Sequence, residues 1–269
     1  MGVAPSLGVP GLLATAAQGG HEVAVVALGR FAVLHAGVPV PLAAWQSRKA
    51  RDLLKVLVAR KGRPLTREAA AEAMWPDEDP DALSNRLSVA LSTIRKVLDP
   101  DRRHPPDYYV ASDARTMALR TDHVHIDLIE FLSIADQATE LMARGERAAA
   151  AGPLRRARQL YAGDFLEEDL YEDWAVDARA EARSRLLTIL RLLARLAADR
   201  SDDEAAGLYL GQLLELEPYD EDAWLSLVAG QLRLRRHGEA RRHYATYARR
   251  MDELDVVPVA LADAAGWRP

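Results

Sequence analysis

Hydrophobic positions along this chain change period as it proceeds. From His21 to His35 they fall in two short strand-like blocks, EVAVVAL and RFAVLH, parted by Gly29. Ala36-Gly37 then turns into Val38-Pro39-Val40, where the proline suits an edge strand. Ser47 starts and caps a helical period, with Ala50, Leu53, Leu54, Leu57 and Val58 at i, i+3, i+4, i+7 and i+8, and Lys61-Gly62 ends it. A second helix, Arg67 to Trp75, has Thr66 as cap and Pro76 as stop. A third starts with Asp79 as N-cap and Pro80 at the first helical position, and Pro100 stops it soon after Leu98. At 100° per residue Leu87, Leu91, Ile94 and Leu98 form its apolar stripe. The opposite arc carries Asn85, Val89, Ser92 and Lys96, with Ser88 and Thr93 on its shoulders.

Beyond Pro100 lies an irregular basic stretch, Arg102-Arg103-His104-Pro105-Pro106. Tyr108-Tyr109-Val110 and Met117-Ala118-Leu119 then flank Ser112-Asp113-Ala114-Arg115, a hairpin pattern with Arg115 at the tip. From Asp127 onward the pattern is helical. Ala205-x3-Tyr209 followed by Pro218 recurs as Ala240-x3-Tyr244 followed by Pro258, the small–aromatic–proline spacing of tetratricopeptide (TPR) units. A looser unit spans Leu128–Leu160, an acidic aromatic insertion spans Ala162–Asp173, and a long helix spans Trp174–Ala198. So few units predict that the repeats dock onto the first domain. The fold class is mainly α with a small β component: a winged helix-turn-helix domain followed by a TPR-like α-helical repeat domain. We place a disordered tail at 1–20, the winged helix at 21–121, the repeats at 122–258 and a C-terminal tail at 259–269.

Charge sharpens this division. Residues 21–121 hold 16 Lys+Arg against 12 Asp+Glu, a balance of +4, while residues 122–269 hold 19 against 28, a balance of −9. A basic half joined to an acidic one suits a nucleic-acid module coupled to a protein-binding module. Zero cysteines exclude disulfides and thiolate chemistry and accord with a reducing interior. No apolar run reaches membrane-spanning length, and the N-terminus lacks a basic n-region and is broken by Pro5, Pro10 and Gly11, so it is read as a tail, not a secretory leader.

The third helix carries the chemistry. An ordinary surface helix presents long charged side chains, whereas this arc offers short hydrogen-bonding ones, an aliphatic and a cation. Asn can bond an adenine edge, Val can touch a thymine methyl, Ser can serve either, and Lys can reach guanine or phosphate. Candidate base readers are therefore Asn85, Ser88, Val89, Ser92, Thr93 and Lys96. Arg48, Lys49 and Arg51 crowd the first turn of the first helix, the end where acids are preferred, and a nearby phosphate backbone would account for them. Candidate phosphate or minor-groove residues are Ser47, Arg48, Lys49, Arg63, Arg67, Arg95, Tyr109 and Arg115. The plainer alternative, a solvated polar face, stays open on the residues alone.

SRKARDLLKVLVARKGRPLTREAAAEAMWPDEDPDALSNRLSVALSTIRKVLDP resembles the DNA-binding domain of the SARP family, bacterial activators of the antibiotic-regulatory-protein type with an OmpR-like winged helix. The resemblance runs through Arg48-Lys49-Ala50, Gly62-Arg63-Pro64, Trp75-Pro76 and Asn85-Arg86-Leu87-Ser88-Val89, and departs from the family at Asp107-Tyr108-Tyr109. Gly163-Asp164-Phe165-Leu166, Asp173-Trp174 and Glu253-Leu254-Asp255-Val256-Val257-Pro258 resemble that family's bacterial transcriptional activation domain. It implies a cytoplasmic, sequence-specific activator binding direct repeats in double-stranded DNA as a side-by-side dimer and contacting RNA polymerase, including its sigma factor. Trp75, Asp77, Glu78, Asp79 and Asp81 would form the polymerase contact loop.

No phosphate-binding G-x-x-x-x-G-K-[ST], H-E-x-x-H or G-x-S-x-G occurs, so no catalytic residue, metal site or cofactor is expected. His123 and His125 are read as surface residues on a strand face, His237 and His243 as structural, and Glu167-Glu168-Asp169 and Asp220-Glu221-Asp222 as solvated loops or helix starts. The rival reading is a non-DNA adaptor whose repeats and winged helix bind protein or effector. A further one is a fragment of a larger regulator.

Overall fold

Three β-rich blocks near the N-terminus pair as the alternation predicts, and a fourth strand joins them from far along the chain. The computed structural model describes residues 21–76, 80–264, 266 and 267. β1 (Val23–Val26), β2 (Ala32–His35) and β3 (Val38–Pro39) form an antiparallel meander, and β7 (Val124–Ile126) lies parallel to β1, giving the order β3-β2-β1-β7. A second sheet has the order β4-β6-β5, from β4 (Leu65–Thr66), β5 (Val110–Ser112) and β6 (Thr116–Leu119). Tyr108 and Tyr109, expected in the hairpin strand, precede it in a turn.

The helices of this region are α1 (Arg48–Ala59), α2 (Arg67–Met74) and α3 (Pro80–Leu98). Ala50, Leu53, Leu54, Leu57 and Val58 of α1 are buried, and so are Leu87, Leu91, Ile94 and Leu98 of α3, so both apolar stripes face a core. Thr66 caps α2 by accepting from the Ala69 N–H at 3.1 Å, whereas Ser47, at the N-cap of α1, makes no side-chain capping bond. The expected cap Asp79 and the expected tail 1–20 lie outside the described residues.

The chain divides into two compact units. Among the described residues, the first comprises those from 21 to 132 together with 159–182, and the second 133–158 together with those from 183 onward. The division therefore departs from a boundary at 121/122. It keeps β7 with its sheet and assigns the acidic aromatic insertion to the first unit, because backbone bonds hold it there. Gly29 donates to the Asp164 carbonyl (3.0 Å), Leu166 to that of Ala27 (2.8 Å) and Glu167 to that of Gly29 (3.1 Å). Glycine at 163 suits this approach, since a Cβ there would stand 3.1 Å from the Gly29 Cα and 2.8 Å from the Glu167 Oε2, closer than ordinary contact. Phe165 and Leu166 are fully buried.

Arg51 pairs with Glu168 at 3.3 Å, and the buried Lys55 reaches Asp169 at 2.6 Å and Asp52 at 3.7 Å. These acids are thus ion-paired, correcting their reading as solvated loop. His125 is also largely buried, 3.1 Å from Glu130, and His123 bonds the Tyr108 carbonyl at 2.6 Å, so neither is an idle surface residue. Asp127, fully buried at the start of the next helix, accepts from the Ala27, Leu28 and Leu128 N–H groups at 2.7–2.9 Å. Burial pushes its carboxyl up to about 6 against those three bonds, which favour the anion.

The remaining helices are α4 (Asp127–Ala143), α5 (Arg147–Leu160), α6 (Asp173–Asp199), α7 (Asp203–Leu216), α8 (Glu221–Arg233) and α9 (His237–Asp252). In the second unit α7 packs on α8 and α8 on α9 in repeat fashion, and Ala240 is fully buried as the small–aromatic spacing requires. The buried Tyr247 hydroxyl donates to Glu221 at 2.5 Å and accepts from the Val259 N–H at 2.8 Å, pinning the segment after α9. The expected C-terminal tail holds one more turn, α10 (Leu261–Ala264), with Ala264 buried.

Candidate nucleic-acid interface

The polar arc of α3 exists as a surface. Asn85, Ser88, Val89, Ser92 and Lys96 are all exposed, and Val89, an aliphatic residue, is 57% exposed in mid-helix. A single exposed valine is ordinary on a protein surface; what marks this one is its place among Asn85, Ser88, Ser92 and Lys96 on the same exposed face.

Two of these hydroxyl-bearing positions are occupied internally. Ser88 donates to the Ser84 carbonyl (2.8 Å) and accepts from Arg67 (3.2 Å), which joins the start of α2 to the arc. Thr93 is 6% exposed and its hydroxyl donates to the Val89 carbonyl at 3.1 Å. A threonine can satisfy its hydroxyl one turn back and so be buried, which removes Thr93 from base readout.

The expected backbone contacts divide similarly. Arg48 is almost wholly exposed, with Asp52 3.8 Å away. Arg63 is exposed and donates to the Arg60 carbonyl, while Ser47 is only partly exposed. Lys49 is engaged, its ammonium 2.5 Å from the Met74 carbonyl, so it ties α1 to the end of α2. Arg115 is exposed at the hairpin turn, where Asp113 accepts from the Arg115 and Thr116 N–H groups at 2.7 Å. The Arg115 carbonyl accepts from the Arg67 N–H at 2.9 Å, fixing the turn against α2.

Two residues are corrected. Arg95 donates to Asp107 (2.9 Å), the Val110 carbonyl (3.1 Å) and Ser112 (3.1 Å), so its guanidinium clasps the hairpin to α3 and is not offered to phosphate. Tyr109 is 5% exposed, its ring edge-on to Tyr108 at 4.9 Å, and burial pushes its phenol up to about 12. Tyr108 is stacked between His104 (3.9 Å) and His123 (3.8 Å). The aromatic pair is therefore structural.

Of the residues expected to form a polymerase contact loop, Asp77, Glu78 and Asp79 lie outside the described residues, Trp75 is half-buried at the end of α2, and Asp81 falls in the first turn of α3 and not in a loop. Sequence reasoning missed Arg102. The run Arg102-Arg103-His104 signals charge, but only folding sorts it. Arg103 pairs with Glu22 and Asp101, whereas the Arg102 side chain is exposed, with no ion pair or hydrogen bond among the described residues. Among those residues no cluster of His, Asp and Glu could hold a metal ion, and no helix is long and apolar enough to cross a membrane.

Comparison with known proteins gives this geometry a context. Residues 126–262 match the family described as bacterial transcriptional activator domain, and residues 44–111 match transcriptional regulatory protein, C terminal. The regulatory protein AfsR of Streptomyces coelicolor is 28% identical over 235 residues, 84% of this chain and 23% of that protein. AfsR of Streptomyces griseus is 26% identical over 134 residues, 47% of this chain and 13% of its own length. The chain thus spans a minor part of either relative. Among solved structures, EmbR of Mycobacterium tuberculosis, in complex with a low affinity phosphopeptide, superposes with a TM-score of 0.72 at 22% identity. The match covers 91% of this chain and 64% of that one, and at that identity it is a likeness of fold.

Proposed function

This chain belongs to the bacterial transcriptional activator domain family, in the SARP-type arrangement of a winged helix followed by that domain, and we propose that it is a cytoplasmic, sequence-specific DNA-binding activator. The observation that carries the reading is the face of α3: Asn85, Val89, Ser92 and Lys96 exposed on one side of a helix whose other side is fully committed to the core. In a winged helix that face enters the major groove while flanking elements touch phosphates. Asn85 and Val89 read base edges, Ser92 joins them, Lys96 at the end of the arc reaches guanine or phosphate, and Arg48 and Arg63 serve the backbone. Arg115 at the hairpin tip reaches the minor groove, whose negative potential favours a guanidinium.

In this reading the protein binds direct repeats as a side-by-side dimer and recruits RNA polymerase, including its sigma factor, through the segment Trp75–Asp81. The families matched are those of transcriptional regulators, and no catalytic role is assigned to any residue. Binding of the full chain to a random duplex at low salt, followed by fluorescence anisotropy, tests the proposal against the adaptor alternative. An activator of this kind binds the duplex with steep salt dependence, about 0.9 in log–log slope per phosphate neutralised. An adaptor that uses the winged helix for protein docking does not bind it at all.

A further inference from the structure

Where the arc of α3 ends, the surface opens into a cleft of about 340 Å³ between the C-terminal half of the helix and the loop that follows it. Ser92 and Lys96 line it from the helix, Arg102 and His104 from the loop, and Tyr109 is part of its wall. The volume lies within the range of ligand-sized clefts, roughly 300–1,000 Å³.

The charges in this cleft are sorted. Arg95, beside Lys96, is consumed by the hairpin. Asp99 is the one acid among the lining residues, and its two oxygens are taken by the Arg103 and His104 N–H groups at 2.9 Å each. Lys96 and Arg102 are exposed, and neither side chain has a hydrogen bond or ion pair among the described residues. Arg102 holds a left-handed backbone, φ 54°, in a turn closed by its N–H on the Asp99 carbonyl. Two unengaged cations, a serine hydroxyl and an imidazole thus meet on a wall built partly of Pro105, Pro106 and Tyr109. Cations with flat apolar walls fit a phosphate carried on a sugar.

We propose that this cleft seats a backbone phosphate and its deoxyribose from the bound duplex, with Arg102 and Lys96 as the charge partners. The inference rests on the DNA-reading function proposed above. It favours the duplex over a free nucleotide because Ser92 and Lys96 belong to both the cleft and the reading arc. At 1.5 Å per residue Lys96 lies about 10 Å along the axis from Val89. That distance is close to the ~12 Å width of the major groove. A strand whose bases meet Val89 then carries its phosphates past the end of α3.

The test compares the full chain with Arg102→Gln, Arg102→Lys and, as a neighbouring control, Arg103→Gln, by duplex anisotropy across a salt series. Arg102→Gln should weaken binding to every duplex roughly three- to tenfold and lower the salt slope by about one, with base preference unchanged. Arg102→Lys should keep the slope, and Arg103→Gln, whose side chain is paired with Glu22 and Asp101, should match the parent. An unchanged slope for Arg102→Gln overturns the proposal. So does Arg102-dependent binding of adenosine monophosphate without DNA, if the duplex slope stays untouched, for the seat then serves a free nucleotide. If the parent chain binds no duplex, the DNA-reading function falls first and takes the seat with it. Normal parent binding with an indifferent Arg102→Gln removes the seat alone.

Discussion

Asp127 shows how much a single side chain can carry in this fold. Its buried carboxylate holds the N–H groups of Ala27 and Leu28 at the end of β1 and starts α4 through Leu128. Asparagine keeps one acceptor oxygen but turns an NH2 toward those donors. Asp127→Asn should therefore cost about 2–4 kcal/mol at neutral pH, measured by urea unfolding. Burial raises this carboxyl from an ordinary 3.8 to about 6, so between those values the folded chain binds more protons than the unfolded one. The titration-linked part of Asp127's contribution is accordingly fully present below about 3.8 and is lost as pH rises through about 6, so Asp127→Asn should cost more at about pH 4 than at neutral pH. A carboxyl resonance titrating near 6 in the native protein checks this, and a midpoint below 4 contradicts it. At this scale the periodicity of α3 correctly separates Leu87, Leu91, Ile94 and Leu98 from Asn85, Val89 and Ser92. It does not reveal that Thr93 and Tyr109 are buried or that Arg95 is committed to the hairpin. An angle around a helix says which way a side chain leaves, not what later packs over it.

At the level of elements, the least legible feature is the pairing of distant segments. The acidic aromatic insertion stands out by composition, but its partners on α1 are invisible to local pattern because more than a hundred residues intervene between Lys55 and Asp169. The same holds for β7, a three-residue strand recruited to β1. Lys55 is 2% and Asp169 10% exposed at the side chain, and Lys55 also lies over the Phe31 ring at 5.5 Å. Lys55→Met leaves Asp169 and Asp52 buried without their cation and should cost about 3–5 kcal/mol in denaturant unfolding. Adding Asp169→Leu should recover part of that loss, because a charge pair replaced by apolar groups is often near neutral. A loss under 1 kcal/mol for the single change would show that water, not Lys55, satisfies the acids. Helix existence, by contrast, is well read from sequence, since every long apolar period from Ser47 onward became a helix.

For the whole molecule, the first compact unit is discontinuous in sequence, completed by residues 159–182. A chain ending at residue 121 lacks β7, the Asp127 cap and the buried Phe165 and Leu166. It should show no cooperative thermal transition, whereas residues 21–182 should retain one; equal melting of the short piece and the full chain would contradict this. The order of a winged helix before helical repeats was readable from period and charge together, and the family matches bear it out. Base reading by Asn85 and Val89 of α3 is the proposal on which the rest depends. Selection from a randomised duplex pool by the full chain, repeated with Asn85→Ala and Val89→Ala, measures it most directly. Each variant should relax preference at its own base position, by about 1–3 kcal/mol, and leave the others intact. Enrichment of the same sequences to the same degree by all three proteins would contradict it.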